Sequence, residues 1–575
     1  MNDKLTDFRH AEAPLPAENH LWPLYGAGFE NLGLDGQPID VPVPAYGPDE
    51  LLVRHDACGL CFSDIKIIKL GEEHPRIYRK MADNPVVLGH EIAMTVVGVG
   101  ENLKGQYHIG DRFTIQADVF VGGIGYAYGY EIQGGLSQYN VIDQRVLHGD
   151  DGNYLLKVKP TTGYAESALT EPWACVTAAY GLTYRTGLKA GGTTWIVGTL
   201  TPPLKGEGSY SISSGFDEAS HPARLLLSGV PQAFDAWLRE RAAALGVEVI
   251  DVPDVAAPPV QLIDDIVLLD PNPDLIETVS PWLDQFGIVA LIGSQPLERK
   301  VNVDIGRVHY NRWVYVGGQS ADIARAYSDL PVRSALRPGG RAWFVGAAGP
   351  MGRMHVQRAI QMAGSPSVIV CTDVSDLRLD DLKVSYEAEA EAKSIEFICV
   401  NPMNKDAYMA LLARFQESGG FDDIVVLAPV PIVIAEAAPY LAAKGVMNVF
   451  AGVARGTVTQ LDLSDAYLKD VRVIGHSAST IDDLRLMLHQ AESGQLSPNR
   501  SVAAIGSLDA ARDGLAAVRD TAFPGKVVIY PQIKEFPLTA LPDLGEKLPT
   551  VYAKLIDGRE WTNEAEEEFL RLMLV

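Results

Sequence analysis

The chain has 575 residues, enough for several domains, and its 47% hydrophobic and 21% charged residues describe a globular protein rather than a disordered or fibrous one. Its formal net charge of −25 argues against nucleic acid and anionic membrane surfaces as partners, and no apolar run is long enough to cross a bilayer. The first residues lack the apolar core of a signal peptide, and the five cysteines show no disulfide-framework spacing. We therefore expect a cytoplasmic protein with no membrane or nucleic-acid partner.

Two kinds of sequence pattern follow each other along the chain. Short apolar runs broken by glycine dominate the first 150 residues and predict a mostly-β domain. From about residue 165, helix-length segments alternate with short β-branched runs, which predicts βαβ units and a parallel sheet. The predicted strands of this α/β region are residues 195–197, 225–227, 247–252, 265–269, 343–345, 368–370, 397–400 and 424–427.

The α/β region occurs twice. Residues 191–198, Gly-Gly-Thr-Thr-Trp-Ile-Val-Gly, match residues 339–346, Gly-Gly-Arg-Ala-Trp-Phe-Val-Gly, at an offset of 148. Residues 264–273 match residues 422–431 at an offset of 158, which then continues without a gap. Any two doubly wound domains share glycine and valine at turns and strands, but ordered matches over so long a stretch favour a duplication. The sequence therefore predicts two successive doubly wound domains, residues 190–335 and 336–490.

The second copy carries a candidate dinucleotide site. Its first strand ends in a glycine-rich turn and a helical run, which can present backbone N–H groups to a pyrophosphate. The turn fits Gly-x-Gly-x-x-Gly only if Gly346 replaces the first glycine, because Ala347 stands in that place. Asp373 ends the next strand, where a carboxylate binds ribose hydroxyls and repels a 2′-phosphate, so NAD is favoured over NADP. The candidate cofactor-binding residues are Gly346, Gly349, Pro350, Met351, Gly352, Asp373 and Arg378.

The first copy lacks these features. After its first strand come Pro202, Pro203 and a long polar stretch, in place of a phosphate-binding turn and its helix. Ser228 and Gly229 stand where the second copy has Asp373. We therefore expect a degenerate first copy, and one NAD per chain bound by the second copy.

Candidate metal ligands lie outside both copies. Cys61 lies in the segment Cys-Gly-Leu-Cys-Phe-Ser-Asp, His90 in Gly-His-Glu, and Glu171 in Leu-Thr-Glu-Pro-Trp. A thiolate, an imidazole and a carboxylate are the ligands of an open zinc site, with the fourth position left for water or substrate. Each segment alone is a weak signal, because Gly-His-Glu often marks a turn and Cys-x-x-Cys is often incidental or redox-active.

Together and in this order, the segments resemble those of the medium-chain dehydrogenase/reductase superfamily, in particular its zinc-dependent alcohol and polyol dehydrogenases. The resemblance extends over the α/β region and the closing Gly-Lys-Val-Val. It implies an α/β protein in which a GroES-like, mostly-β catalytic domain, residues 1–185 and 491–575, accompanies two Rossmann-like domains, the first degenerate. It also implies that Cys61 and His90 hold a catalytic zinc.

The resemblance offers two carboxylates as the third zinc ligand. The Glu-Pro segment is similar to that of the sorbitol-dehydrogenase-like branch, which assigns the place to Glu171. Glu91, beside His90, is the family's alternative inner carboxylate. Ser63 would accept the proton of the alcohol and Asp64 would orient a zinc ligand, although both side chains are also suited to capping the helix that follows.

The sequence departs from the family pattern at three places. The four-cysteine lobe that holds a structural zinc should lie within residues 113–133, which contain no cysteine, so we expect one zinc per chain. Lys66 stands five residues after Cys61, where a histidine of the proton relay is often found. Cys58 falls outside the ligand pattern, and we interpret it as a buried thiol. In addition, Arg378 could accommodate a 2′-phosphate, but in the family an arginine there commonly packs on adenine.

The whole pattern predicts a zinc-dependent, NAD-linked oxidoreductase of a polyol, sugar or sugar phosphate, similar to sorbitol dehydrogenase or sorbose-1-phosphate reductase. A simple alcohol or an amino alcohol is less favoured as the substrate. The alternatives are a non-catalytic nucleotide-binding or scaffold protein with a vestigial zinc site, and a zinc-free enzyme of the quinone-reductase kind. Family subunits commonly dimerise through the edge strands of their cofactor domains, so a homo-oligomer is one expectation. The other is an internal pairing of the two copies, residues 313–316 against 471–474.

Overall fold

The computed structural model describes residues 4–199, 209–328, 332–476 and 478–574. The chain forms two compact units. The first comprises Met1–Ala178, Gly349–Met354 and Ala478–Val575, and the second comprises Ala179–Ala348 and His355–Ser477. The finer division of the chain at the ends of 1–185, 190–335, 336–490 and 491–575 stays a prediction.

The first unit begins with short strands separated by turns, as the glycine-rich sequence predicts. Its N-terminal elements are α1 (Lys4–His10), β1 (Glu18–Leu21), β2 (Pro23–Leu24), β3 (Ile39–Pro42), β4 (Leu51–Gly59), α2 (Phe62–Leu70), β5 (Val86–Val87), β6 (Glu91–Val99), β7 (Arg112–Ile115), β8 (Phe120–Val121), β9 (Ile124–Gly125), β10 (Tyr139–Ile142), α3 (Gln144–Leu147), β11 (Leu155–Lys157) and α4 (Tyr164–Ala178).

Apart from residues 349–354, which belong to the first unit, the two α/β copies lie in the second unit. The first copy consists of β12 (Thr193–Val197), β13 (Arg224–Ser228), α5 (Gln232–Leu245), β14 (Glu248–Asp251), β15 (Ile263–Leu269), α6 (Pro273–Val279), β16 (Leu283–Ile292), β17 (Val301–Asp304), α7 (Ile305–Tyr310), β18 (Val314–Gly318) and α8 (Ala324–Ser328). The second copy consists of β19 (Arg341–Val345), α9 (Pro350–Gln361), β20 (Val368–Thr372), α10 (Asp376–Ala392), β21 (Glu396–Val400), α11 (Lys405–Glu417), β22 (Phe421–Val426), α12 (Pro431–Ala437), β23 (Leu441–Val449), β24 (Val458–Leu461), α13 (Asp465–Leu468) and β25 (Arg472–Gly475).

The chain then returns to the first unit. The closing elements are α14 (Ile481–Glu492), β26 (Val502–Ser507), α15 (Ala511–Arg519), β27 (Lys526–Tyr530), β28 (Thr539–Ala540), α16 (Leu544–Lys547), α17 (Pro549–Tyr552) and α18 (Asn563–Met573). The central sheet of this unit has the order β11-β7-β6-β4-β27-β26-β28, with β10 also paired to β4. It therefore joins strands from both ends of the chain.

The two copies share one sheet topology. Their orders, β14-β13-β12-β15-β16-β18 and β21-β20-β19-β22-β23-β25, are equivalent, and all the strands in each sheet are parallel. The same ion pair also recurs at the offsets read from the sequence, as Arg185 with Asp265 and as Arg333 with Asp423. Buried β-branched strands covered by helices are the arrangement of a doubly wound fold. The predicted fold class is therefore confirmed.

The copies differ after their first strand. In the second copy α9 follows β19, whereas among residues 209–223 of the first copy no helix precedes β13. Instead the buried side chains of Tyr210, Ile212 and Phe216 pack on one face of the first sheet. Pro202 and Pro203, which the sequence analysis singled out, lie outside the described residues.

The two copies pack against each other around an approximate two-fold axis. Strands β17 and β24 pair antiparallel, and Asn302 lies opposite Gln460, its own counterpart at the offset of 158. The edge strands β18 and β25 lie close together, but within the described residues each forms a ladder only inside its own sheet. The expectation that 313–316 and 471–474 pair directly is wrong in this respect.

Close helix packing gives a physical reason. A Cβ at Gly317 would lie 2.9 Å from Cβ of Tyr467 in α13, and a Cβ at Gly475 would lie 2.7 Å from Cα of His309 in α7. Each edge strand therefore meets a short helix of the other copy at its glycine. The backbone pairing between the copies forms at β17 and β24 instead.

None of the helices within the described ranges is long and apolar enough to cross a membrane.

Candidate active site

The register of two strands brings the predicted zinc-binding segments together. Strand β4 ends at Gly59, two residues before Cys61, and β6 begins at Glu91, directly after His90. The strands are antiparallel, with Gly59 opposite Glu91. The segment that leaves β4 therefore lies beside the segment that enters β6, although some thirty residues separate them in the sequence.

Three potential donors lie within coordination reach of a single ion. Ligand atoms of Cys61, His90 and Glu91 all lie within 4.8 Å of one another. Oε2 of Glu91 is buried and has no hydrogen-bond partner among the described residues. A buried carboxylate oxygen without a partner is costly unless a cation completes it, and sulfur, nitrogen and oxygen donors suit zinc. The residues present therefore fit a zinc ion.

Gly59 makes room for this carboxylate. A Cβ at this position would collide with Oε2 of Glu91. Only glycine at the end of β4 therefore allows Glu91 to turn toward Cys61.

Asp64 links the cysteine and histidine segments. Its Oδ2 accepts a hydrogen bond of 2.9 Å from the backbone N–H of Cys61 at the start of α2. Its Oδ1 accepts one of 3.3 Å from the N–H of Gly89 and lies 3.2 Å from Nδ1 of His90. Asp64 therefore caps the helix and also orients the imidazole, leaving Nε2 for a metal. The capping role considered from the sequence is present in the geometry, and the role toward a zinc ligand stays a prediction.

The electrostatics favour a thiolate at Cys61. Burial opposes ionisation of this thiol, but the positive charge of Lys526 and a hydrogen bond with His90 outweigh it, so that the pKa of Cys61 is lowered. Oγ of Ser63 lies 3.6 Å from Sγ of Cys61. A hydroxyl is thus available beside the thiolate for proton transfer.

Glu171 lies near these donors but is not part of the group of three. It stands in α4 directly before Pro172, and it is not one of the three donors within 4.8 Å. Burial raises the pKa of Glu171 to about 7, with the charge of His90 acting against this and that of Cys61 reinforcing it. The structure therefore places Glu91 closer to the other donors, while Glu171 remains within their electrostatic reach.

The candidate cofactor turn follows β19. Gly346 has φ of +82°, and a Cβ there would lie 2.9 Å from the backbone nitrogen of Ala428, so the turn requires glycine. The N–H groups of Gly346 and Ala347 both donate to the carbonyl of Thr372, at 2.8 and 3.0 Å. These bonds hold the turn against the end of β20. A Cβ at Gly349 would meet nothing within 4 Å, and α9 begins at Pro350 and includes Met351 and Gly352.

Asp373 supports the same turn. Its Oδ2 accepts a hydrogen bond of 3.2 Å from the N–H of Ala348, and its Oδ1 accepts one of 3.1 Å from the N–H of Ser375. The guanidinium of Arg378 lies 3.2 Å from the same Oδ1. Asp373 and Arg378 are therefore next to the turn, as a ribose-binding carboxylate and its neighbour should be.

Register shows what replaces Asp373 in the first copy. Nε1 of Trp195 donates to Oγ of Ser228 at 3.0 Å, as Nε1 of Trp343 donates to Oγ1 of Thr372 at 3.0 Å. Ser228 is thus the counterpart of Thr372, and the next residue, Gly229, takes the place of Asp373. The first copy has no carboxylate at this position.

Similarities to known proteins agree with this geometry. Residues 47–149 match the family described as the alcohol dehydrogenase GroES-like domain. The chain is 22% identical to mannitol-1-phosphate 5-dehydrogenase of Aliivibrio fischeri, over 92% of this chain and 93% of the relative. It is also 22% identical to L-sorbose 1-phosphate reductase of Klebsiella pneumoniae, over the same shares of both chains. These matches confirm the resemblance to the zinc-dependent alcohol and polyol dehydrogenases of the medium-chain dehydrogenase/reductase superfamily.

A solved structure shares the fold of this chain. The crystal structure of 2R,3R-butanediol dehydrogenase from Bacillus subtilis aligns with a TM-score of 0.52 and 14% identity, covering 89% of this chain and 99% of that one. This similarity shows the same fold, and the matched GroES-like domain together with the curated relatives indicates an oxidoreductase of the alcohol or polyol dehydrogenase type.

The sequence analysis missed one side chain of the site. Lys526, at the start of β27, forms a buried ion pair with Oε1 of Glu91. Burial lowers the pKa of Lys526, but the attraction of Glu91 and Cys61 outweighs it, so the pKa is raised and the ammonium stays charged. Lys526 is the lysine of the closing Gly-Lys-Val-Val, a segment that the sequence analysis related to the family but not to the metal site.

Proposed function

We propose that the protein is a zinc-dependent oxidoreductase that transfers a hydride between NAD(H) and the secondary alcohol or ketone of a polyol, sugar or sugar phosphate. The close group of Cys61, His90 and Glu91, with its unpartnered carboxylate oxygen, carries the proposal. Two relatives of similar length are a polyol-phosphate dehydrogenase and a ketose-phosphate reductase, which supports this substrate class.

Each side chain of the site has a role in this proposal. Cys61, His90 and Glu171 hold the zinc, which when bound would act as a Lewis acid toward the oxygen of the substrate. Ser63 accepts the proton of the alcohol, and its place beside Cys61 suits this step. Asp64 holds His90 in one tautomer and orientation through the contact at Nδ1.

Glu91 has a second role. Burial raises the pKa of Glu91 to about 7, and its ion pair with Lys526 acts against this rise. Glu91 lies in the close group of donors and its Oε2 has no hydrogen-bond partner among the described residues, which makes it the alternative inner carboxylate.

The second copy binds NAD in this proposal. The N–H groups at the start of α9, in the segment of Gly349, Pro350, Met351 and Gly352, would face the pyrophosphate. Asp373 would accept the ribose hydroxyls, and Arg378 would lie against the adenine. The first copy binds no dinucleotide, because Gly229 replaces the carboxylate.

Metal content and substrate range test the proposal together. We expect one zinc per chain by elemental analysis. We also expect NAD reduction with mannitol 1-phosphate or an unphosphorylated polyol, and its loss after zinc is removed by a chelator. Turnover that survives complete removal of the metal would contradict the zinc mechanism. Absence of NAD reduction across polyols, sugar phosphates and simple alcohols would favour the non-catalytic alternative.

The third zinc ligand can be identified by comparing two glutamine variants. Glu171→Gln should lower the zinc content and kcat with little loss of stability, because in the structure Glu171 lies outside the buried Glu91–Lys526 pair. Glu91→Gln should retain more zinc but unfold more easily, by about 3–5 kcal/mol, because it leaves the buried charge of Lys526 unpaired. Elemental analysis and thermal unfolding measure both effects. Loss of zinc from Glu91→Gln alone would transfer the ligand role to Glu91.

A further inference from the structure

A basic group lies next to the proposed zinc site. It consists of Lys66 in α2 and of His74 and Arg76 in the loop that follows this helix. The backbone N–H of Arg76 donates to Nδ1 of His74 at 3.2 Å, which places the proton of a neutral imidazole on Nε2. No described residue forms a hydrogen bond with this Nε2. His74 therefore presents a free N–H donor.

One aromatic ring separates this basic group from the zinc ligands. The ring of Tyr130 lies 5.7 Å from that of His90 and 5.3 Å from that of His74, between centroids. His74 therefore lies only one aromatic ring away from the zinc ligand His90. A polyol chain of a few carbons is long enough to span one ring.

The group carries an excess of positive charge. Arg76 forms an ion pair with Asp118, whereas Lys66 is exposed and makes no ion pair within the described ranges. The neighbouring Glu72 is turned away, since its Oε1 accepts the N–H of Met81 at 2.8 Å. Burial lowers the pKa of His74, and the charges of Arg76 and Lys66 lower it further. A positive potential thus surrounds the free N–H donor, in a chain whose net charge is strongly negative.

We infer that Lys66, His74 and Arg76 bind the phosphate of a phosphorylated substrate, and so make the site specific for a polyol or sugar phosphate. This inference rests on the proposed function and assigns its substrate class. An ammonium, a guanidinium and a ring N–H are donors that match phosphate oxygens. The uncharged hydroxyl end of a polyol would gain little binding energy from these donors.

Variants of two lysines on one helix provide the test. Lys66 and Lys69 are both exposed in α2, but the charge of Lys66 acts on His74. Lys66→Gln should lower the ratio of kcat/KM for mannitol 1-phosphate over that for mannitol by about tenfold or more, the effect of losing one charged hydrogen bond. Lys69→Gln should leave this ratio at the wild-type value. Arg76 is not replaced, because its loss would leave Asp118 unpaired.

His74→Phe gives a second measurement, because it keeps an aromatic ring beside Tyr130 and removes the N–H donor. It should also lower the ratio. Equal effects of Lys66→Gln and Lys69→Gln on it would overturn the inference.

Binding of inorganic phosphate to the zinc-loaded protein, measured by calorimetry, gives a readout that does not depend on turnover. Lys66→Gln should weaken phosphate binding and Lys69→Gln should not. If no polyol or polyol phosphate is oxidised, the proposed function fails, but this binding comparison still decides whether the basic group binds phosphate. Equal phosphate affinity in the wild type and both variants would show that it does not.

Discussion

Replacing Cys61 with serine should empty the zinc site and lower kcat/KM by about 10³-fold, because Lewis-acid activation supplies several kcal/mol and each 1.36 kcal/mol is a factor of ten. Cys61 is expected to show this effect because its thiolate is favoured by Lys526 and His90 and its backbone is fixed by Asp64. Elemental analysis should show the loss of zinc. A cobalt-substituted wild type should show thiolate-to-metal charge-transfer absorption that the variant lacks.

Cys58→Ser is the matched control. Cys58 lies three residues earlier, is fully buried, and its Sγ lies 3.5 Å from the carbonyl of Gly59, to which a serine hydroxyl can donate instead. This variant should keep its zinc and its charge-transfer absorption. A Cys61→Ser protein that retains both metal and turnover would refute the ligand assignment, and a Cys58→Ser protein that loses zinc would transfer the role to Cys58.

Local patterns were sufficient to predict the two α/β copies. The β-branched runs predicted the strands because a parallel strand covered on both faces is apolar along its whole length. The run predicted at 368–370 is the core of β20, and the one predicted at 343–345 is that of β19. The glycine-rich turn was predicted because a positive φ at Gly346 needs glycine. Each of these signals lies within a few residues of the feature it predicts.

Contacts between distant parts of the chain could not be predicted in this way. Lys526 reaches Glu91 across 435 residues, and only the order of strands β27, β4 and β6 explains why they meet. Because a separation of this size carries no periodic signal, the sequence could not decide which carboxylate faces Cys61. The pairing of β17 with β24 was missed for the same reason.

The C-terminal segment shows the same limit. No chemistry could be assigned to it from the sequence, yet the carboxylate of Glu566 accepts hydrogen bonds of 2.5 and 2.7 Å from the N–H groups of Tyr164 and Ala165. These are the first residues of α4, the helix that carries Glu171. A helix needs acceptors for its first N–H groups, and here a residue about four hundred positions away supplies them.

Replacing Asp373 with serine should weaken the binding of NAD and allow NADP to bind. The ratio of kcat/KM for NAD over NADP should fall by about 100-fold or more, because the variant loses charged hydrogen bonds to ribose of about 1.5–3 kcal/mol and no longer repels a 2′-phosphate. Steady-state kinetics with both cofactors measures this ratio. A native enzyme that prefers NADP would contradict the role given to this position.

The geometry separates the two parts of this effect. Asp373 also accepts the N–H of Ala348, so its loss loosens the turn and should raise KM for both cofactors. Asp373→Asn keeps an acceptor for that N–H and removes only the charge, so it should admit NADP with a smaller loss of NAD binding. The gain in NADP use should depend on Arg378, which is freed from its contact with the carboxylate and can pair with the added phosphate. Adding Arg378→Ala to Asp373→Ser should therefore remove the gain, whereas a double variant that still uses NADP would show that charge repulsion by Asp373 alone sets the preference.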